Sequence, residues 1–205
     1  MIAVSVAVLA LIVIVIIQQR LIAAQKKAKE SQRMVETLHK QVFVDALTQV
    51  QNKGGFDECV RQLQERIDRG EVPETAVGVF DCDNLKLVND QYGHEKGNAY
   101  LLASCQVICR TFKHSPVFRI GGDEFAVVLS GEDYERREEL LRRFQAEQSA
   151  ISASAQNAWE QVGVSVGAAV FDPRLDRSMK DLIQRADRLM YENKRSRKKT
   201  QQKSR

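Results

Sequence analysis

Two short apolar runs, residues 117–120 (VFRI) and 125–129 (FAVVL), are separated only by Gly121-Gly122-Asp123-Glu124. Neither run is long enough for a helix, and the spacer is too tight for anything but a reversal of direction. This stretch therefore commits the chain to an antiparallel hairpin inside a sheet. The spacer is also chemically unusual. Two adjacent glycines let a backbone turn sharply and let a ligand approach it closely. Two acids follow at once, between strands whose other side chains seek a core. Taken alone, an ordinary hairpin accounts for it.

A second peculiarity stands upstream. Residues 75–81 (TAVGVFD) read as a buried strand, rich in β-branched residues and ending in a carboxylate. An acid at the end of a buried strand is costly unless it is paired or metal-bound. It opens Asp81-Cys82-Asp83-Asn84-Leu85-Lys86, with Gly93-His94 and Gly97-Asn98 beyond. Alone, Asp-x-Asp-Asn is turn chemistry. If this strand and the hairpin are neighbours in one sheet, Asp81 and Asp123 converge and must share a proton or a cation. Oxygen-only ligation suits Mg²⁺, which is held by one or two carboxylates plus substrate phosphates.

The remaining periodicity gives helices over 56–67, 99–112, 133–151 and 178–194, and a strand over 162–170. In that strand Val162, Val164 and Val166 alternate with Gly163, Ser165 and Gly167, leaving one face open to a close neighbour. The order is helix, strand, helix, hairpin, helix, strand, helix. The fold class is α/β (α+β), with a central, mostly antiparallel sheet flanked by helices. Four cysteines at 59, 82, 105 and 109 form no disulfide framework and read as reduced thiols.

Two appendages precede the domain. Residues 2–17 carry no charge and are expected to form a transmembrane anchor, domain 1–17. Arg20, Lys26, Lys27 and Lys29 follow it, which would place the rest of the chain in the cytoplasm, on a single-pass cell-membrane protein. Almost nothing precedes the run, so a sensor domain within this chain is not expected, and control would come through dimerisation, a membrane sensor partner or expression level. Residues 18–44 lack Gly and Pro; Leu21, Ala28, Val35 and Val42 recur every seven residues, with Ala24, Ser31 and Leu38 between. The segment reads equally as a linker helix or as a parallel coiled coil. Charge is segregated. Residues 45–193 hold 18 basic and 25 acidic residues, whereas 194–205 hold seven basic and no acidic ones. The acidic middle argues against nucleic acid as a partner, and the tail 195–205 reads as solvated and disordered.

At this point residues 45–194 resemble the GGDEF domain of diguanylate cyclases. The signature stands intact at Gly121 to Phe125. Asp45-Ala-Leu-Thr with Asn52 resembles the family's opening motif, residues 81–90 with Gly93-His94 its central one, and Ala186-Asp187, Leu189-Met190-Tyr191 and Lys194 its last helix. The resemblance implies that two GTP are condensed into cyclic di-GMP with release of pyrophosphate, by a homodimer. It implies that Asp81, the backbone carbonyl of Cys82 and Asp123 hold Mg²⁺, with Mn²⁺ as an alternative. Asp123 would also serve as base, Glu124 would support the metal, and Lys86 and Lys194 would neutralise phosphate. Gly121 and Gly122 would let substrate lie against the hairpin, and Asn89, His94 and Asn98 would bind base and sugar.

Three departures stand out. Position 98 is Asn where the family usually has Asp, which opens guanine preference to question. Phe112 and Ser115 occupy the two ends of the family's product-inhibition motif, so feedback through that site is not expected. The closing Gly-Arg reads Arg197-Lys198. The alternative of a different class is a catalytically silent nucleotide-binding or dimerisation module.

Overall fold

The structure is a computed structural model that describes residues 17–27, 29 and 43–203. The chain divides into two units, 1–42 and 43–205. Of the first, α1 (residues 17–27) is helical and exposes Ile17, Leu21 and Ile22. The remaining heptad positions up to Val42, and all of the apolar run before Ile17, lie outside the described residues. The expectation of a transmembrane helix and of a single-pass membrane localisation is corrected here. Among the described residues no helix is long and apolar enough to cross a membrane. The physical reason is in the composition of α1, which runs from Ile17 into Gln18, Gln19, Arg20, Lys26 and Lys27.

The second unit is built on a five-stranded sheet in the order β1-β3-β4-β2-β5. Its strands are β1 (Gln51–Asn52), β2 (Ala76–Cys82), β3 (Val117–Arg119), β4 (Glu124–Leu129) and β5 (Val164–Val170). Only the short β1–β3 pair is parallel; β3–β4, β4–β2 and β2–β5 are antiparallel. The helices are α2 (Lys53–Asp68), α3 (Leu85–Tyr92), α4 (His94–Thr111), α5 (Gly131–Glu135), α6 (Arg137–Ser154) and α7 (Met179–Lys203).

Strand alternation sorts the core into two layers. Phe80 and Cys82 of β2, with Phe125, Val127 and Leu129 of β4, pack toward α4 and α6. There Phe80 meets Phe112 and Phe144 edge to face, at centroid distances of 5.7 and 5.3 Å. Val77, Val79, Ala126 and Val128 face the opposite layer, with Phe56 of α2 and Met179, Leu182, Ala186 and Met190 of α7. The parity has a consequence for chemistry: Asp81 and Glu124 continue the rows of Val79 and Ala126, on the α7 face.

The close neighbour anticipated for the 162–170 strand is α7. A Cβ on Gly167 would lie 2.0 Å from the Met190 amide nitrogen and 2.3 Å from the Ala186 carbonyl, so only glycine lets that helix backbone rest on β5. Three features differ from the sequence expectation. Residues 85–92 form a helix of their own, entered through Asn84 at φ +62°, a left-handed conformation that Asn tolerates. The 133–151 helix is broken at Arg136 into α5 and α6. Finally α7 runs on to Lys203, where a disordered tail was expected after Lys194. No Gly or Pro interrupts it there, and basic residues suit the negative end of the helix dipole.

Candidate active site

The β2–β4 ladder places Asp81 directly opposite Glu124. One step beyond, the Cys82 amide donates to the Asp123 carbonyl at 2.9 Å. The two peculiar stretches of sequence therefore meet at one end of the sheet. Lys194, reaching across from α7, donates to Asp81 Oδ1 at 2.5 Å. Burial pushes the Glu124 carboxyl above its ordinary range, and the negative charges of Asp123, Asp81 and Asp187 push it further. Burial pulls the Lys194 ammonium down, but the Asp81 hydrogen bond and charge, with Asp83 and Asp123 behind, outweigh it and hold it more firmly protonated.

The hairpin is fixed from below. Arg119 donates through Nη2 to the Gly122 carbonyl at 2.7 Å and through Nη1 to both Asp45 oxygens at 3.2 and 3.3 Å. Asp45 in turn accepts from the Thr48 amide and hydroxyl at 2.8 and 2.7 Å. The opening turn of the domain and the Gly-Gly reversal are thus tied through one guanidinium. At Gly121 a Cβ would stand 2.5 Å from Glu124 Oε2, so glycine leaves room for that carboxylate to fold back over the turn.

An open cleft of about 530 Å³ lies above these groups. Its acids are Asp81, Glu124 and Asp187, its cations Lys194, Arg195 and Lys198, and Met190 and Tyr191 complete the lining. Of the residues expected from sequence, the cleft gathers Asp81, Glu124 and Lys194, with Asp123 and Cys82 adjoining through the ladder. Gly122 is exposed beside it and Gly121 half-buried. Lys86, Asn89, His94 and Asn98 are not part of that lining; they lie along α3 and α4, on either side of the turn at Gly93. Lys86, His94 and Asn98 are exposed, and the Asn89 carboxamide rests against Gly97. Tyr191, Asp187 and Arg195 carried no role in the sequence reading. The spacing 187, 191, 194, 198 follows one helix face, a pattern readable only once the helix continues past Lys194.

The donor set is all oxygen: the Asp81, Asp123 and Glu124 carboxylates and the Cys82 carbonyl. Among the described residues no group of three potential ligand side chains is gathered tightly enough to form a cage. Oxygen donors of this kind suit a hard divalent cation.

Comparison with known proteins agrees with this geometry. The family model described as "Diguanylate cyclase, GGDEF domain" matches residues 42–200. Diguanylate cyclase DgcS of Shewanella oneidensis is 30% identical over 158 residues, covering 76% of this chain and 51% of that protein. A diguanylate cyclase of Vibrio cholerae is 28% identical over 162 residues, covering 78% of this chain and 49% of that one. The chain spans about half the length of these two relatives. The coiled coil and GGDEF domain of DgcB from Caulobacter crescentus, solved with c-di-GMP, superposes with a TM-score of 0.69 at 25% identity. That match covers 88% of this chain and 95% of that one. With the signature hairpin set against the β2 carboxylate and matched over most of its length, this chain belongs to the GGDEF-domain family of diguanylate cyclases.

Proposed function

We propose that this chain condenses two molecules of GTP into cyclic di-GMP, as one half of a homodimer that brings two GTP-loaded domains face to face. The observation that carries the reading is the convergence of Asp81, Glu124 and Lys194 from three separate elements onto one cleft. An acid pair with a lysine across it suits a triphosphate and its counter-cation; a module that only dimerises has no use for it. A divalent metal, Mg²⁺ or Mn²⁺, held by Asp81, Asp123 and the Cys82 carbonyl, would supply charge neutralisation on the triphosphate.

The chain's own residues supply the rest. Gly121 and Gly122 leave the hairpin backbone bare for close approach. Lys194 and Lys86 neutralise phosphate oxygens as negative charge moves toward pyrophosphate. A ribose 3′-hydroxyl from the opposite domain attacks the α-phosphorus; the new P–O bond forms as the bond to the β-phosphate breaks, and the Asp123 carboxylate takes the hydroxyl proton. The same event in the other direction closes the ring. Asn89, His94 and Asn98 hold base and sugar along the α3–α4 turn.

The test is pyrophosphate release from GTP by the full chain. Asp81→Asn and Lys194→Met are each expected to lower turnover by about 100-fold or more, the usual loss when one charge-stabilising group is removed. Unchanged turnover in both would remove the cleft from the reaction. No pyrophosphate from a wild-type protein that is demonstrably dimeric would leave a nucleotide-binding module instead.

A further inference from the structure

The part of α7 that carries the cleft's cations has no hydrophobic anchor of its own. Met190 is its last buried hydrophobic residue among those described, yet the helix continues to Lys203 through Lys194, Arg195, Arg197, Lys198 and Lys199. Like charges so closely spaced repel, and such an end frays unless something holds it. The nearby β5 is an edge strand whose outward backbone groups also need partners.

Arg197 answers both needs. Its Nη1 donates to the Val164 carbonyl at 3.1 Å and to Gln148 Oε1 at 3.0 Å. Gln148 Oε1 also accepts from the Val164 amide at 3.0 Å, and Asn193, one turn earlier, accepts from the Val166 amide at 3.2 Å. Arg197 Nε lies 3.3 Å from Asp83 Oδ2. Asp83 is 7% exposed; its Oδ1 accepts from the Ser165 hydroxyl at 2.8 Å, while no hydrogen bond reaches the buried Oδ2. The contact at Oδ2 is therefore one of charge, and a buried carboxylate left without such a charge is costly. Asp83 is also held through its backbone. Its amide donates to the Gly163 carbonyl at 2.7 Å and its carbonyl accepts from the Tyr100 hydroxyl at 2.7 Å.

We infer that Arg197 is a positioning residue: it pins the final turns of α7 to the ends of β2 and β5, so that Lys194 is presented to the phosphate-bearing part of the substrate. Two cation–carboxylate pairs then join the same helix to the same strand end, Lys194 to Asp81 and Arg197 to Asp83. The first lies in the cleft; the second lies behind it and meets no substrate. The glycine that the family resemblance led one to expect at 197 has no side chain to make this contact.

The inference rests on the cleft being a triphosphate site, and a double-mutant cycle on binding separates it from the cyclase reading. The affinity of the full chain for inorganic tripolyphosphate with Mg²⁺ is measured by calorimetry for wild type, Arg197→Met, Lys194→Met and the double variant. Arg197→Met is expected to bind about tenfold more weakly, and Arg197→Lys to recover part of the loss. The double variant is expected to bind no more than about twofold more weakly than Lys194→Met alone, because one loss acts through the other. Multiplying losses, an Arg197→Met protein that binds like wild type, or a wild type that binds no tripolyphosphate would each overturn the inference. If Arg197→Met does not fold, Arg197→Gln, which keeps polarity without the charge, carries the same expectation. Turnover of GTP by wild type is read separately, so a failure of the cyclase reading leaves the cycle interpretable.

Discussion

Asp45 shows how much one side chain near the start of the domain can carry. Burial raises its carboxyl, but hydrogen bonds from Thr48 and the charge of Arg119 outweigh that and hold it below its ordinary value. A depressed carboxyl contributes stability that is present above its unfolded pKa and lost as pH falls through the folded one. Asp45→Ala is therefore expected to cost about 1.5–3 kcal/mol at pH 7, the scale of hydrogen bonds to a charged group, and progressively less in urea melts below pH 4. An undiminished cost at pH 3 would contradict it. Glu124 has the opposite sign. Its raised carboxyl is a penalty on folding that is absent below the unfolded pKa and fully present above the folded one. Glu124→Gln should stabilise the fold at pH 7 by about 0.5 kcal/mol, the scale of a like-charge pair across strands, while lowering turnover. Under the proposed function, Asn98 would bear on substrate choice. An amide can pair with N1–H and O6 of guanine or with N1 and the amino group of adenine, whereas a carboxylate accepts only from guanine's two donors. Asn98→Asp is expected to raise the preference for GTP over ATP by about tenfold in competition assays. That the two acidic stretches meet was legible in the sequence; that Glu124, not Asp123, stands opposite Asp81 was not, because register depends on where β4 begins.

At the scale of elements, α7 against β5 decides whether the cleft exists. The Gly167 contact sets the height of the helix over the strand, and Asn193 and Arg197 set its register along it. Gly167→Ala is expected to cost about 2 kcal/mol or more and to take turnover with it, since the clash is with backbone that cannot step aside. A fully active, equally stable Gly167→Ala protein would show that the helix does not rest where the structure puts it. The alternation of large and small residues over 162–170 announced a close neighbour but not its identity, which is the Ala186–Met190 stretch of α7. Elements with a strong period were legible: β2, the β3–β4 hairpin, α4 and α7. Those fixed by one backbone conformation were not. α3 depends on the left-handed turn at Asn84, and β1, two residues long, is defined by pairing with β3. The start of α2 was hidden by Gly54-Gly55 in its first turn, where the Asn52 cap accepts from Gly55 and compensates for their poor propensity.

At the scale of the whole molecule, an acidic domain bearing a basic last helix is suited to a metal-loaded polyphosphate. The heptad pattern over residues 18–44 motivates the proposal that this segment pairs two chains. Removing it is expected to lower specific activity at nanomolar protein by about 100-fold and at micromolar protein far less, because a tether raises the effective concentration of the second half. An equal loss at both concentrations would assign the segment no part in pairing. The most direct measurement is of the product itself. Residues 18–205, incubated with Mg²⁺ and GTP, should yield a species with the mass of cyclic di-GMP, and Asp123→Asn should not. An adenine-containing product in mixtures with ATP would keep the chemistry and overturn the substrate; no cyclic dinucleotide from a dimeric protein would contradict the cyclase reading altogether.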